Sequence, residues 1–173
     1  MKTLTLLRHA KSGWDDMNLR DFDRRLNGKG KRAAATVGRH MRACGLAFDH
    51  VVASPAVRVA ETLDGVASGY GRSLSPGWDK RLYLASAATL LDIVRDLPPE
   101  HARVLLVGHN PGLEDLTLLL AADPGEAEDK YPTATLAELA IGESWADAAR
   151  GKAELVRFVR PRDLDPALGP DND

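Results

Sequence analysis

Two arginines and two histidines stand just beyond apolar runs that have the character of buried strands. Arg8 and His9 follow the run LTLL directly, and His109 follows RVLLV after one glycine. Arg58 stands four residues beyond the run HVVAS, where a helical side chain would lean back toward the strand end. In an open parallel sheet the carboxyl ends of the strands meet at one edge, where ligands bind. We therefore expect these four side chains to lie together.

This set of side chains suits the transfer of a phosphoryl group. Arginine is permanently charged and binds phosphate through two parallel hydrogen bonds, so two arginines can neutralise a phosphoryl group without a metal ion. A neutral imidazole between them is a nucleophile of suitable basicity near pH 7. A second imidazole, if protonated, would hold another phosphoryl oxygen and stabilise the transition state. The pattern therefore indicates transfer of phosphate to a histidine and then to water.

Each of these residues also has a plainer interpretation. A single arginine is most often part of a surface ion pair, and a histidine at a strand end is most often a hydrogen-bonded turn residue. The convergence of all four is what favours a site. The other histidines, His40, His50 and His101, lie elsewhere along the chain and are not expected to take part.

Other kinds of site lack their signatures in this sequence. It contains no His-x-x-x-His pair, no cysteine cluster and no dense group of histidines and acidic residues, so no metal site is expected. Neither a P-loop nor a GxGxxG fingerprint is present, and the GxSxG elbow of a serine hydrolase is missing.

Length and charge limit the class of protein and its partners. The 173 residues suit one compact domain, and a formal net charge of −2 disfavours nucleic acid or an anionic membrane as a partner. No apolar stretch is long enough to span a bilayer, and the N-terminal apolar run is too short for a signal peptide. The single cysteine, Cys44, cannot form an internal disulfide. We expect a cytoplasmic monomer.

The elements that must position the four side chains alternate along the chain. The runs LTLL, HVVAS and RVLLV predict buried strands, and helical periodicity follows each of them. Asn27 and Ser86 are the expected N-caps of two helices. Ser54 is the expected N-cap of another, with Pro55 at its first helical position.

Strands that alternate with helices predict the α/β class. We expect a three-layer α/β/α sandwich with a mostly parallel central sheet, in which two late strands, TLAELAI and ELVRFV, pair with each other. Residues 1–160 are assigned to a single domain. Residues 161–173 are rich in proline and aspartate, and we predict that they form a disordered tail.

Three motifs resemble those of the histidine phosphatase superfamily, the group that contains the phosphoglycerate mutases and many phosphatases. LLRHAKSGWD is similar to the family's first motif, SPAVRVAET keeps the SPxxRxxET spacing of the second, and VGHNPGLEDL resembles the third. The short chain and the stretch RDFDRRLNGKGKRAA are most similar to the SixA-type phosphohistidine phosphatase branch. Together the motifs are specific, although any single one would not be.

The resemblance implies roles for the matching residues and a phosphoglycerate mutase-like fold. His9 would be the nucleophile that becomes phosphohistidine, and Arg8, Arg58 and His109 would form the phosphate pocket. Ser12 matches a frequent family serine and is a further candidate for binding phosphate. The resemblance implies no metal ion and no organic cofactor.

The sequence departs from the family pattern at three places. Ala10 replaces a glycine, and Asp15 stands where mutase-like members carry an asparagine that contacts phosphate. Many relatives also carry a glutamate, which serves as the general acid, in the region of DKRLYLAS. This stretch begins with Asp79 and contains no glutamate. An alkoxide needs a proton to leave easily, whereas the imidazole of phosphohistidine is far less basic. The missing glutamate therefore favours phosphohistidine, or phosphate on another good leaving group, over simple alcohol phosphates.

The leading hypothesis is a metal-independent phosphatase that forms a phosphohistidine intermediate and dephosphorylates phosphohistidine on a protein, such as a signalling protein. One alternative is a small-molecule phosphomonoesterase, or a mutase, of the same superfamily. Another is a non-catalytic phosphate-binding regulatory module, and the plainest is an α/β domain whose strand-end residues are structural. The sequence does not identify the physiological substrate.

Overall fold

The computed structural model describes residues 1–14 and 16–170, so Asp15 lies outside the described residues. In this part of the chain six strands form one sheet: β1 (Lys2–Arg8), β2 (His50–Ala53), β3 (Gly77–Trp78), β4 (Arg103–Gly108), β5 (Leu136–Gly142) and β6 (Glu154–Val159). The α-helices are α1 (Gly28–Ala43), α2 (Val57–Tyr70), α3 (Ala87–Arg95), α4 (Gly112–Leu120) and α5 (Pro161–Leu164). No helix in these residues combines the length and apolar character needed to cross a lipid bilayer.

The sheet is mostly parallel, with the strand order β3-β2-β4-β1-β5-β6. Strands β1 to β4 pair in parallel, whereas β5 is antiparallel to both β1 and β6. Within the described residues, β5 alone therefore runs against the other strands. The predicted mostly parallel sheet is confirmed, and the β5–β6 ladder confirms the predicted pairing of the two late strands.

The two central strands, β1 and β4, place their carboxyl ends side by side. Their register pairs Arg8 with Gly108, and the backbone N–H of His9 donates to the Gly108 carbonyl at 3.0 Å. On the other side of β4, the last residue of β2, Ala53, pairs with Val107. Three strand ends therefore share one edge of the sheet, as the sequence predicts.

Apolar side chains on the two faces of the sheet form two separate cores. Leu4 and Leu6 of β1 belong to the core that contains Leu113 of α4 and the buried residues of α3. Leu7 points to the opposite core, which contains Val59 of α2 and the buried residues of α1. Alternate strand residues point to opposite faces, so helices cover both sides of the sheet. This arrangement is the predicted three-layer α/β/α sandwich.

Close backbone contacts hold α1 against its neighbours. A Cβ at Gly38 would lie 2.2 Å from the carbonyl oxygen of Val66 in α2. A Cβ at Gly30 would lie 2.1 Å from the carbonyl oxygen of Lys11, in the loop that follows β1. Both distances are far below van der Waals contact, so glycine is what allows α1 to approach that loop at the end of β1.

Two predicted N-caps are confirmed and one is wrong. The side chains of Asn27 and Ser86 each accept a backbone N–H in the first turn of the following helix. Ser54 does not cap α2, which begins only at Val57. Its hydroxyl instead lies 2.7 Å from a ring nitrogen of His109, so a contact between distant parts of the chain replaces the local one.

The prediction that residues 161–173 form a disordered tail is wrong for residues 161–170, which the structure describes as ordered. Pro161 opens the short helix α5, and Leu168 is buried in the core beside α1 and α2. The guanidinium of Arg160 is buried and donates to two backbone carbonyls. Apolar burial and these hydrogen bonds join this segment to the domain, and residues 171–173 lie outside the described residues.

Candidate active site

The edge formed by the ends of β1, β2 and β4 brings the sequence-predicted side chains together. The Nε of Arg58, in the first turn of α2, donates to Nε2 of His9 at 3.4 Å. Its Nη2 lies 3.3 Å from Nδ1 of His109, and the two imidazole ring centroids are 5.3 Å apart. Arg58 therefore stands between the two histidines and contacts both.

A cavity of about 460 Å³ opens at this edge of the sheet. Its lining is rich in cations and neutral hydrogen-bond donors: Arg8, His9, Lys11, Ser12, Trp14, Arg24, Arg58, Asn110 and Thr133. Of the five predicted site residues, His109 is the one outside this lining, and it is buried behind Arg58. No group of three or more histidine, cysteine or acidic side chains among the described residues is placed to hold a metal ion.

His9 is held in one protonation state. Its Nδ1 lies 2.7 Å from the carbonyl oxygen of Ala10, which can only accept a hydrogen bond, so Nδ1 carries the proton. Nε2 is then unprotonated and accepts from Arg58. Burial, with smaller contributions from nearby positive charge, lowers the pKa of His9 to about 3. The imidazole is therefore neutral at pH 7, with a lone pair on Nε2 that can attack an electrophile.

His109 carries its proton on the other nitrogen. Its Nδ1 accepts from Arg58, so Nε2 carries the proton and donates to the Ser54 hydroxyl at 2.7 Å. Burial first, and then the charge of Arg58, lower its pKa to about 4. In this arrangement His109 is neutral. The role expected of a protonated second imidazole therefore requires a bound anion that offsets the charge of Arg58.

Asp21 fixes Arg58 from the side opposite the histidines. The backbone carbonyl of Asp21 accepts from Nη1 at 2.7 Å, and its carboxylate pairs with Nη2 at 3.0 Å. The same carboxylate pairs with Arg24 at 3.1 Å and accepts from the Tyr83 hydroxyl. Partial burial opposes ionisation, but the hydrogen bonds from Tyr83, Arg24 and Arg58 lower the pKa of Asp21 to about 2. Asp21 therefore remains charged and orients both guanidinium groups.

Arg24 shapes the wall of the cavity that follows β1. It donates to the hydroxyl oxygen of Ser12 at 2.6 Å and to the carbonyl of Gly13 at 3.3 Å, and it lies over the ring of Trp14 at 3.3 Å. Because the Ser12 oxygen accepts from Arg24, its own O–H is oriented away from that guanidinium. Ser12 can therefore donate to a group bound in the cavity.

Sequence reasoning missed three side chains of this network: Asp21, Arg24 and Tyr83. A signal existed for the first two, because they lie in the stretch RDFDRRLNGKGKRAA that resembles the SixA-type branch. Tyr83 lies in the DKRLYLAS region where a glutamate was sought, and its ring meets His109 edge-on at 5.4 Å between centroids. Asp79, the carboxylate of that region, pairs with Arg81 at 2.7 Å.

Comparisons with known proteins identify a family and relatives that this chain resembles. Residues 4–83 match the family model described as "Histidine phosphatase superfamily (branch 1)". An uncharacterised protein of Mycobacterium tuberculosis strain H37Rv is 34% identical over 163 residues, covering 90% of this chain and 100% of the relative.

Two solved structures with similar sequences share the fold. One is a candidate phosphohistidine phosphatase SixA from Nakamurella multipartitia, 32% identical, with a TM-score of 0.79 over 92% of this chain and 96% of that one. The other is a candidate SixA from Agrobacterium tumefaciens, 26% identical, with a TM-score of 0.77 over 92% and 98% of the two chains. The similarity therefore extends beyond the three motifs to nearly the whole chain.

Proposed function

Because the chain belongs to the histidine phosphatase superfamily, in its SixA-type branch, and is a phosphatase with a histidine nucleophile, we propose that it removes phosphate from phosphohistidine on a protein. In this proposal His9 is the nucleophile, and Arg8, Arg58, His109 and Ser12 bind the phosphoryl group. The observation that carries the proposal is the state of His9. It is a buried, neutral imidazole whose unprotonated Nε2 lies beside Arg58 in the cavity.

The proposed reaction has two steps. In the first, the lone pair on Nε2 of His9 forms a bond to phosphorus while the P–N bond of the substrate breaks and its imidazole leaves. The His9 ring gains positive charge in this step, and its hydrogen bond to the Ala10 carbonyl stabilises that charge. In the second step, the oxygen of a water molecule bonds to phosphorus, the bond to Nε2 breaks, and inorganic phosphate leaves with the protons of that water.

The cations around His9 lower the barrier to both steps. Arg8 and Arg58 neutralise the phosphoryl oxygens through charge-assisted hydrogen bonds. A bound phosphoryl group also offsets the charge of Arg58, which is one cause of the lowered pKa of His109. His109 then takes up a proton from solvent at Nδ1, which gives up its contact with Arg58, and this N–H donates to a phosphoryl oxygen as charge develops in the transition state.

The cavity suits a leaving group that brings its own proton. The described residues that line it are cations and neutral groups, with no carboxylic acid among them, and Asp79 is paired with Arg81. An alkoxide needs a proton from the enzyme, a contribution of about 10²–10⁴-fold. A phosphohistidine ring that is protonated on its other nitrogen leaves as neutral imidazole. This difference favours phosphohistidine over alcohol phosphates.

A substrate panel tests the proposal. We expect kcat/KM for a phosphohistidine peptide to exceed that for a phosphoserine peptide of the same sequence by about 10²-fold or more. His101→Asn, which changes a histidine outside the cavity, serves as the control and should retain full activity. A preference for phosphoserine or sugar phosphates would replace the proposal with a small-molecule phosphomonoesterase. Binding of inorganic phosphate without turnover of any substrate would indicate a regulatory module.

A further inference from the structure

Large apolar side chains are exposed mainly on segments that follow strands at the carboxyl edge of the sheet, where the cavity opens. Among the described residues seven are exposed, and five of them lie on two segments at the carboxyl edge of the sheet: Trp14, Met17, Leu19, Trp78 and Leu84. The first three follow β1, Trp78 ends β3, and Leu84 lies in the segment that continues from it. Single exposed apolar residues are ordinary, but their concentration at one site marks an interaction surface. We refer to these five residues as the apolar rim.

Contacts between the two segments make the rim one surface. The Tyr83 hydroxyl donates to Asp21, and the Tyr83 ring meets Phe22 edge-on at 5.2 Å between centroids. Trp14 lines the catalytic cavity and packs against Arg24, which also pairs with Asp21. The segments are therefore joined beside the cavity, and one rim residue, Trp14, lines the cavity itself.

Leu84 is unusual in two ways. Its side chain is 57% exposed, and its backbone has a φ of +50°, in the left-handed region that non-glycine residues rarely adopt. Asparagine or glycine would satisfy that backbone better, and a polar side chain would suit the exposure. A leucine here is unfavourable for the isolated chain on both counts, which fits a side chain that is used in contact with another molecule.

Two exposed arginines beside the apolar rim are paired with carboxylates. Arg20 pairs with Asp23 at 2.9 Å, and Arg81 pairs with Asp79 at 2.7 Å. The net charge of the whole chain is −2. The rim offers a partner apolar area that resembles the core of a protein interface, where tryptophan and methionine are enriched.

We propose that the apolar rim docks the surface of the protein substrate that surrounds its phosphohistidine, and that this surface is apolar. The inference rests on the proposed function and names the partner chemistry for the same site. A small phosphorylated molecule would occupy the cavity without reaching Trp78 or Leu84, whereas a polypeptide that inserts phosphohistidine must cover the cavity mouth.

Matched peptides test this inference without knowledge of the natural partner. Two peptides of about 15 residues, which span up to ~50 Å when extended, carry a central phosphohistidine flanked either by leucine and phenylalanine or by serine. For the wild-type chain we expect KM to be about tenfold lower for the apolar peptide, with similar kcat for both. Phosphoramidate, which has a P–N bond and no side chains, measures the cavity alone.

Substitutions in the rim should remove the preference. Trp78→Thr and Leu84→Asn suit the local backbone, and each should raise KM for the apolar peptide about threefold to tenfold. Neither should change turnover of phosphoramidate. Val156→Thr on β6 is the control, because Val156 is 51% exposed, as Trp78 is, but lies outside the rim. It should keep the wild-type preference.

The possible results separate the two proposals. If both peptides are turned over with equal KM, or if the rim variants keep the preference for the apolar peptide, the docking inference is wrong and the proposed function stands. If neither peptide is turned over while phosphoserine is, the proposed function fails and the docking inference fails with it. Thermal unfolding of each variant verifies that a changed KM does not come from a misfolded chain.

Discussion

The ends of β1 and β4 lie side by side and carry one histidine each, yet the two imidazoles are prepared in opposite ways. His9 donates from Nδ1 to the Ala10 carbonyl and leaves Nε2 unprotonated. His109 donates from Nε2 to Ser54 and accepts from Arg58 at Nδ1. Both rings are buried and neutral, so charge does not distinguish them. The hydrogen-bond partner of each ring decides which nitrogen is available for chemistry.

The difference also lies in the kind of partner. His9 is oriented by a backbone carbonyl one residue away, which no substitution removes without moving the chain. His109 is oriented by a side chain 55 residues away. In the proposed mechanism the nucleophile is the ring with the fixed partner, His9, and the ring whose partner is a side chain, His109, stabilises the phosphoryl group.

The largest predicted effect comes from the same substitution at the two positions. His9→Asn should reduce turnover to below about 10⁻³ of wild type, because the nucleophile is lost. His109→Asn should reduce it by about 10²–10³-fold, because one group that stabilises the transition state is lost. Steady-state hydrolysis of a phosphohistidine peptide measures both. Equal losses of turnover in the two variants, together with equal loss of the phosphorylated enzyme, would contradict the separate roles proposed for the two histidines.

The second prediction concerns stability and pH. The pKa of His9 is about 3 in the folded chain, chiefly because of burial, against about 6.5 when unfolded. Between these values the unfolded chain binds a proton that the folded chain does not, so the free energy of unfolding decreases as the pH falls from 6.5 toward 3. Between pH 7 and pH 5 His9 should account for about 2 kcal/mol of this decrease.

Urea unfolding of wild type and His9→Asn at the two pH values measures this contribution. The variant cannot titrate at position 9, so its stability should decrease by about 2 kcal/mol less than that of wild type. His109→Asn should behave similarly, because the pKa of His109 is also lowered, to about 4. An identical pH dependence in wild type and His9→Asn would show that His9 is not held neutral by burial.

Substitutions of two serines should have smaller kinetic effects, and these effects should differ in kind. Ser54→Ala removes the acceptor of the His109 proton, so we expect kcat to decrease about tenfold, the effect of one lost hydrogen bond to a group that becomes charged. Ser12→Ala removes one donor to the bound phosphoryl group, so we expect KM to increase about fivefold with a smaller change in kcat. Michaelis–Menten kinetics on the phosphohistidine peptide separate the two effects. A decrease in kcat alone for both variants would contradict the assigned positions.

The convergence of the site could be predicted from the sequence because it depends on local patterns. Apolar runs identify the strands, and parallel pairing places their carboxyl ends at one edge. The side chains that follow them, His9 and His109, must then lie at the same edge, and the pairing of β1 with β4 makes them neighbours. The observed register places Arg8 opposite Gly108, so His9 and His109 follow adjacent and aligned strand ends.

The partners that prepare each ring could not be predicted in this way. Ser54 has the sequence position of an N-cap, and local rules cannot show that a histidine 55 residues away takes its hydroxyl. Asp21 lies in a polar stretch that has the composition of a solvated loop, although it meets Tyr83, 62 residues distant, and Arg58. Such contacts depend on packing between segments rather than on the pattern within one.

The order of the C-terminal segment also could not be predicted from its own composition. Its proline and aspartate content is typical of disorder, but Pro161 occupies the first position of α5 and Leu168 enters a core built by α1 and α2. Composition describes the segment alone, whereas its order comes from a surface that distant elements provide.

The central claim is that the phosphoryl group passes through Nε2 of His9. The most direct test is to react the slowed His109→Asn variant with a phosphohistidine peptide, quench in alkali, and locate the phosphate by mass spectrometry and 31P NMR. We expect one phosphate per chain, on His9, with the chemical shift of an Nε2-phosphohistidine. Phosphate on Nδ1 of His9, phosphate on another residue, or turnover without a phosphorylated enzyme would contradict it.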